Sequence, residues 1–406
     1  MSAPRSAVRD TALMVAAESF SMTGFAAYTT LLPLLMKEWG LNNSEAGFIG
    51  GIYYAGYMLA VPALTSLTDR IDSRRVYAAA CLVSSLAALG FALLAEGLWS
   101  ALVFQFLIGV GLGGTYMPGL KTLTDHIEGK GQSRSVAFYT AGFGVGSSLS
   151  IIVCGALGAA FGWQWAFVYG AVGPLVAAAL VMLYMPRGRV RAAGAHPHAL
   201  LDFRPVLANR KTVPYIVGYA AHNYELFGQR SWMVAFLVFC SALDAGGAAA
   251  LAGAATLAAF VNLLGPPGSI LGNELALRWG RSRVIFTFMT LSGLVACGLG
   301  LLAGQPLWIV FAVMCVHYAL MLFDSAALTG GLVAATPPEM RGATMAVYSF
   351  IGFATAFLAP LVFGVVLDLA GGNQDRIAWT LAFASIGIFG VCAPVARAIY
   401  LRRPRA

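Results

Sequence analysis

Seven ionisable side chains stand where the surrounding sequence is otherwise apolar: Glu18, Lys121, His222, Glu225, Arg230, His317 and Asp324. Moving a charge to the centre of a hydrocarbon layer costs about 2.5–3.5 kcal/mol on insertion scales, so such groups persist where they bind, pair or carry protons. The densest set is His222-Asn223-Tyr224-Glu225-Leu226-Phe227-Gly228-Gln229-Arg230-Ser231-Trp232. At about 100° per helical residue, His222, Glu225, Gln229 and Trp232 share one stripe, and Arg230 points away from Glu225 by roughly 140°. Gly228 is a place where the helix could loosen and alter that angle. Glu225 is the leading candidate for a coupling proton, because desolvation favours the neutral form of a carboxyl group. Arg230 offers a planar fork of donors that suits an anionic substrate group. Asn223, Gln229 and Trp232 join it as candidate substrate contacts. The plainer alternative is an internal pair in which Glu225 or Asp324 simply neutralises Arg230.

His317 and Asp324 are seven residues apart, hence on one helix face, with Met321 between them. They read either as a proton-relaying couple or, for His317, as a hydrogen-bonded core residue. Glu18 shares a stripe with Ser21, Met22, Phe25 and Thr29. The proton-coupling candidates are therefore Glu225, Asp324, Glu18, His317 and His222. Tyr116 falls on the same face as Gln105, and both are candidate substrate contacts, whereas Lys121 reads as snorkelling towards the membrane surface. No enzyme chemistry is expected: there is no paired nucleophile and base and no His-Glu-x-x-His spacing. The six scattered cysteines and His196-Pro197-His198 do not make a metal site, and no cofactor is expected.

The elements that carry these residues follow from composition. Hydrophobic residues form 59% of the 406 and charged residues 10%, against about 45–50% and 25% in soluble domains. That excludes a soluble enzyme, a nucleic-acid binder and a disordered chain. About 20 apolar residues span a bilayer core as a helix, and twelve such runs occur, near 12–36, 46–67, 76–95, 101–123, 136–160, 165–185, 213–239, 247–271, 284–303, 306–332, 343–367 and 378–400. No cleavage site follows the first run, which reads as a retained membrane helix. With the N-terminus inside, 22 of the 25 basic residues fall on one face of the membrane and only Lys37 and Arg376 on the other. The positive-inside rule then places both termini in the cytoplasm. The net charge of +8 needs no nucleic acid, since these residues retain loops and meet anionic membrane lipids.

The long basic connection divides the chain into a six-helix bundle (1–186), a cytoplasmic loop (187–212) and a second six-helix bundle (213–406). The halves echo one another. Arg70-Ile71-Asp72-Ser73-Arg74-Arg75-Val76 follows the second run and Arg278-Trp279-Gly280-Arg281-Ser282-Arg283-Val284 the eighth. Tyr139-Thr140 is echoed by Tyr348-Ser349. Gly47 and Gly51, Gly109 and Gly113, and Gly142 and Gly146 have the spacing of close helix contacts.

At these residues the chain resembles the major facilitator superfamily over nearly its full length. The family's loop after helix 2 reads G-x-L-x-D-R-x-G-R-[RK]. Here Thr65 to Arg74 keeps Leu67, Asp69, Arg70 and Arg74 and replaces both glycines and the penultimate Arg. The second copy, Asn273 to Ser282, keeps Leu275, Arg278, Gly280 and Arg281 but has Leu277 at the Asp position. Gln105 stands where the family's helix 4 often has Arg, and no proline follows Gly142, Gly144 and Gly146 as it does in antiporters. The resemblance implies an all-α membrane fold of twelve helices in two pseudo-symmetric bundles, with helices 1, 4, 7 and 10 lining a central cavity. It also implies a cytoplasmic gate, for which Asp69, Arg70, Arg74, Arg278 and Arg281 are the candidates.

The expected function is secondary active transport, by alternating access, of a small anionic or zwitterionic metabolite coupled to protons. A proton-driven exporter of amphipathic compounds is the alternative, and a receptor or scaffold that does not transport is the alternative of another class. The expected setting is a bacterial inner membrane, with the chain as a monomer.

Overall fold

The computed structural model describes residues 4–127, 130–187, 203–242, 248–337 and 340–402. The loop segment 188–202, with His196 and His198, lies outside the described residues. Among the described residues all regular structure is helical. The helices are α1 (Pro4–Ser21), α2 (Ala27–Trp39), α3 (Asn43–Leu67), α4 (Ser73–Leu94), α5 (Leu98–Gly113), α6 (Tyr116–Thr124), α7 (Lys130–Phe161) and α8 (Trp163–Tyr184). There follow α9 (Phe203–Ala208), α10 (Val213–Ala242), α11 (Ala248–Leu263), α12 (Gly265–Trp279), α13 (Arg281–Leu299), α14 (Leu307–Leu322), α15 (Ser325–Ala335), α16 (Arg341–Leu369) and α17 (Arg376–Arg402).

Among the described residues ten helical stretches are long and apolar enough to cross a membrane, and they coincide with ten of the twelve predicted runs. The other two runs have identifiable reasons for standing apart. The first, 12–36, is broken into α1 and α2 by a turn at 22–26, where Gly24 approaches α8 so closely that a Cβ on Gly170 would meet the Gly24 Cα at 2.8 Å. The seventh is one 30-residue helix, α10, made less apolar by its own His, Asn, Glu, Gln and Arg. Three further runs are also interrupted. The fourth breaks at Gly114 and Thr115 between α5 and α6, and the eighth at Leu264 between α11 and α12. The tenth breaks at Phe323 and Asp324, between α14 and α15. Pro266 and Pro267 follow the break that starts α12, where missing N–H groups are tolerated. Gly228 does not loosen α10; without a Cβ there, Ile386 of α17 packs against the helix instead.

The chain forms two compact units. One comprises Met1–Gly40, Ile52–Ala195 and Leu251–Ala259, the other Leu41–Gly51, His196–Ala250 and Phe260–Ala406. The first is centred on Met14, Ala17, Tyr77, Leu123, Tyr139 and Val181, with Phe91 stacked on Phe167 at 3.8 Å. Within it α3 and α5 cross at small residues: a Cβ on Gly56 would run into the Phe106 carbonyl, and one on Gly109 into the Tyr53 carbonyl. In lipid no hydrophobic force separates helix from solvent, so such close backbone contact supplies much of the attraction. The second unit holds an aromatic core in which Trp232, Phe236, Phe363, Trp379 and Phe383 pack ring against ring.

Candidate functional site

The polar stripe of α10 is buried throughout, with Glu225 1% exposed and Gln229 0%. Its partners come from α13, from α14 and from the break between α14 and α15. His222 Nδ1 lies 2.7 Å from Asp324 Oδ1, and Glu225 Oε1 lies 2.8 Å from His317 Nε2. Ser292 of α13 donates to Glu225 Oε2 at 3.2 Å. The expected His317–Asp324 couple therefore does not form. Both residues do face α10, but each meets a different member of its stripe, because an antiparallel helix brings 324 beside 222 and 317 beside 225. Asp324 stands at the first position before α15 yet makes no cap bond to that helix; its carboxylate is turned to His222.

Nor does Glu225 pair with Arg230. Tyr318, the residue after His317, accepts from Arg230 Nε at 3.0 Å and donates to Asn262 Oδ1 at 2.8 Å. The guanidinium also lies 5.8 Å from the Phe227 ring and 5.9 Å from the Tyr318 ring. Two consecutive residues of α14 thus serve the carboxylate and the cation separately, about 100° apart around the helix. Gln229 is sealed from solvent, and neither of its amide atoms has a partner among the described residues. Asn223 is buried beside His222 with its Nδ2 unsatisfied. Trp232 belongs to the aromatic core, its indole N–H donating to the Pro360 carbonyl at 3.0 Å.

In the first unit Glu18 is fully buried in α1. Its Oε2 accepts from Tyr139 at 2.8 Å and from Ser21 at 3.4 Å, and its Oε1 has no partner among the described residues. Tyr116 opens α6 and packs edge-on against Phe143 and at a tilt on Tyr139. Gln105 is buried within α5. Close by, Ser21, Phe25, Tyr53, Ser84 and Phe167 line a small polar-and-aromatic cleft. Lys121 does more than snorkel, since it pairs with Asp125 at 3.0 Å.

The gate candidates divide. Arg74 is spent inside the first unit, on an ion pair with Asp72 at 2.7 Å and a bond to the Met185 carbonyl at 2.7 Å. Asp69 lies in the turn after α3 and Arg70 is exposed beside it. Arg278 is exposed in the last turn of α12, and the Arg281 guanidinium lies against Gly330 of α15. Asp72 escaped the sequence reading although it precedes a helix start, the position an N-cap residue occupies. Tyr318, Asn262 and Ser292 left no comparable signal, being neutral residues within apolar runs.

Chemically, the second unit holds two His–carboxylate couples in series along α10, able to accept and pass protons. The second ring nitrogen of His317, Nδ1, is buried with no hydrogen-bond partner among the described residues. Next to them stands a guanidinium framed by aromatic faces. Among the described residues no group of His, Cys, Asp and Glu side chains is arranged to hold a metal ion.

The chain is 29% identical over 148 residues to the niacin transporter NiaP of Acinetobacter baylyi, covering 36% of this chain and 33% of that one. The match thus spans about a third of that relative's length. It is 27% identical over 370 residues to the gallate transporter of Pseudomonas putida, covering 84% of this chain and 81% of that one. A bacterial homolog to the human lysosomal transporter Spinster, solved inward-facing and occupied, superposes over 99% of this chain and 98% of its own with a TM-score of 0.76 at 16% identity. The profile of one family matches residues 14–323. With its apolar helical stretches, interrupted polar helices and duplicated basic loops, this multi-pass integral membrane protein belongs to the Major Facilitator Superfamily.

Proposed function

We propose that the protein is a secondary active transporter that carries a small aromatic carboxylate together with protons by alternating access. The observation that carries the reading is the arrangement on α10. Two buried His–carboxylate couples, His222–Asp324 and Glu225–His317, stand on the same helix as Arg230 and its aromatic surround. The couples would hold the coupling protons. Arg230, whose fork of donors matches a carboxylate, would bind the anionic group, and Phe227 and Tyr318 would meet the ring. Gln229 and Asn223, both with unsatisfied amide nitrogens, supply neutral hydrogen bonds for ring substituents. Niacin and gallate, the substrates in two relatives' names, each join one carboxylate to an aromatic ring. Glu18, with Tyr139 and Ser21, is a further proton-holding candidate, and Gln105 and Tyr116 further substrate contacts. In this reading the bundles 1–186 and 213–406 are the bodies that move, as a monomer in a bacterial inner membrane, with both termini cytoplasmic. Asp69, Arg70, Arg278 and Arg281 would guard the cytoplasmic end.

The test is uptake of labelled niacin, gallate and benzoate into proteoliposomes, with and without an inward proton gradient. Saturable uptake of at least one, accelerated by the gradient, is expected. In Glu225→Gln the gradient should lose its effect, so that driven uptake falls to the rate seen without a gradient, while exchange of labelled for unlabelled substrate persists. In Arg230→Ala the apparent affinity should fall by about thirtyfold, the loss of a charge-assisted contact of about 2 kcal/mol. No flux of any aromatic carboxylate, or a gradient response unchanged in Glu225→Gln, would overturn the assignment.

A further inference from the structure

The helices that follow the two basic loops begin differently. α4 starts after Asp72, whose carboxylate accepts from the Arg74 N–H at 3.1 Å and pairs with the Arg74 guanidinium. The first unit thus supplies its own anion at that helix end, balanced by an arginine that is 8% exposed. In the second copy Gly280 occupies the position of Asp72 and Ser282 that of Arg74. α13 accordingly begins with no side-chain cap and no acidic residue in its first turn.

The buried cation of this copy comes from α17. Arg397 is 6% exposed, and its Nη2 donates to Ser282 Oγ, in the first turn of α13, at 3.1 Å. Its guanidinium lies 5.2 Å from the Tyr215 ring, and its Nε has no acceptor among the described residues. Arg281 and Arg283 flank Ser282 on the same turn, and Ser282 and Arg283 are exposed. None of the ion pairs among the described residues involves Arg281, Arg283 or Arg397. A buried guanidinium without a carboxylate is costly, and a helix N-terminus beside it adds partial positive charge and free N–H donors.

We propose that this end of α13 binds a phosphate group, that of an anionic membrane lipid, through Arg397, Ser282 and the first amides of the helix, with Arg281 and Arg283 at the rim. The setting favours a lipid over a soluble phosphate. Gly280 separates the membrane-spanning stretches Ala250–Trp279 and Arg281–Leu302, so the site lies at the membrane surface. Leu277 and Trp279 beside it are 65% and 54% exposed, an apolar flank for acyl chains, and tryptophan favours the headgroup boundary. The phosphate does for α13 what Asp72 does for α4.

The full-length protein, purified in a neutral detergent, is titrated with phosphatidylglycerol, phosphatidylcholine or inorganic phosphate. Bound lipid is counted by native mass spectrometry and thermal stability is followed. Phosphatidylglycerol should bind and raise the melting temperature where phosphatidylcholine does not. Arg397→Gln should weaken phosphatidylglycerol binding roughly tenfold, Ser282→Ala and Arg283→Gln should weaken it less, and Arg75→Gln, in the first-unit loop, should leave it unchanged. The two exposed-side variants carry the test should Arg397→Gln not fold. Equal response to both lipids, or undiminished phosphatidylglycerol binding across all three site variants, would overturn the site. A stabilisation by inorganic phosphate that equals the lipid's and is lost in Arg397→Gln would overturn the lipid as its occupant.

Discussion

Asp324 and His222 illustrate how a buried pair differs from two buried charges. Each is nearly sealed from solvent, and they are 2.7 Å apart. Removing one partner leaves the other without compensation and costs about 3–5 kcal/mol, whereas replacing both by apolar groups of similar size is often neutral. Asp324→Leu and His222→Leu should therefore each lower thermal stability markedly, and the double variant should recover most of the loss. The coupling energy from the four melting curves is the readout; simple additivity would mean that the pair is not intact in the membrane. The double variant should stay deficient in proton-driven uptake even when stability is restored, which separates the pair's structural from its functional part. The charge of each of these residues was legible in the sequence, because an ionisable group in an apolar run stands out by cost alone. Partner choice was not. Whether Glu225 meets Arg230 or His317 depends on which face of α14 turns to α10, and that is settled by packing between helices nearly a hundred residues apart. Tyr318 and Asn262, which tie down Arg230, carry no charge and gave no such mark.

Among the elements, α3 owes its placement to features at its first turn and near its middle. Its first turn is held by Asp368 at the end of α16, whose Oδ1 accepts from the Asn43 N–H and Nδ2 and whose Oδ2 accepts from the Ser44 N–H and hydroxyl. A carboxylate at a helix N-terminus meets both unsatisfied amides and the positive end of the helix dipole. Asp368→Ala should lower stability by about 1–3 kcal/mol, read as a drop in melting temperature, because four donors lose one acceptor group. Further along, Gly56 and Gly109 let α3 and α5 touch backbone to backbone. Gly109→Val should be worse than Asp368→Ala, since the obstacle is a carbonyl of the neighbouring helix that no side-chain rotation can clear. Monodisperse yield after extraction measures that difference. The glycine spacing made such contacts legible in advance. The Asp368 clasp was not, because a single Asp near a helix end reads first as a solvated surface charge. The breaks at 22–26, Gly114 and Asp324 were equally hidden, as each interrupts a run that stays apolar on both sides.

At the scale of the whole molecule, charge distribution sets orientation. Translocating a basic loop against the positive-inside bias is unfavourable loop by loop, and with twelve crossings and the N-terminus inside, 22 of the 25 basic residues would fall on one side. The connections before α5 and α14 carry Glu96 and Gln305, both exposed, whereas the arginine clusters lie in and around those before α4 and α13. If orientation follows charge, cysteines introduced at Glu96 and Gln305 should react with a membrane-impermeant maleimide in intact cells. Cysteines at Arg75 and Arg278 should react only after permeabilisation. The background is manageable, since Cys81, Cys154 and Cys240 are buried, and Cys297, Cys315 and Cys392 can be replaced. The pattern must hold in both halves at once, because the duplicated loops occupy matching places in the two repeats. Labelling of Arg75 and Glu96 from the same side would break the helix count within the first half. Labelling of Arg75 and Arg278 from opposite sides would mean an odd number of crossings between the repeats, and would point to α10, the one long helix between them that is not among the ten apolar stretches, as the helix outside the membrane. That last outcome would remove Glu225 and Arg230 from the transport pathway, so the topology experiment bears directly on the proposed site.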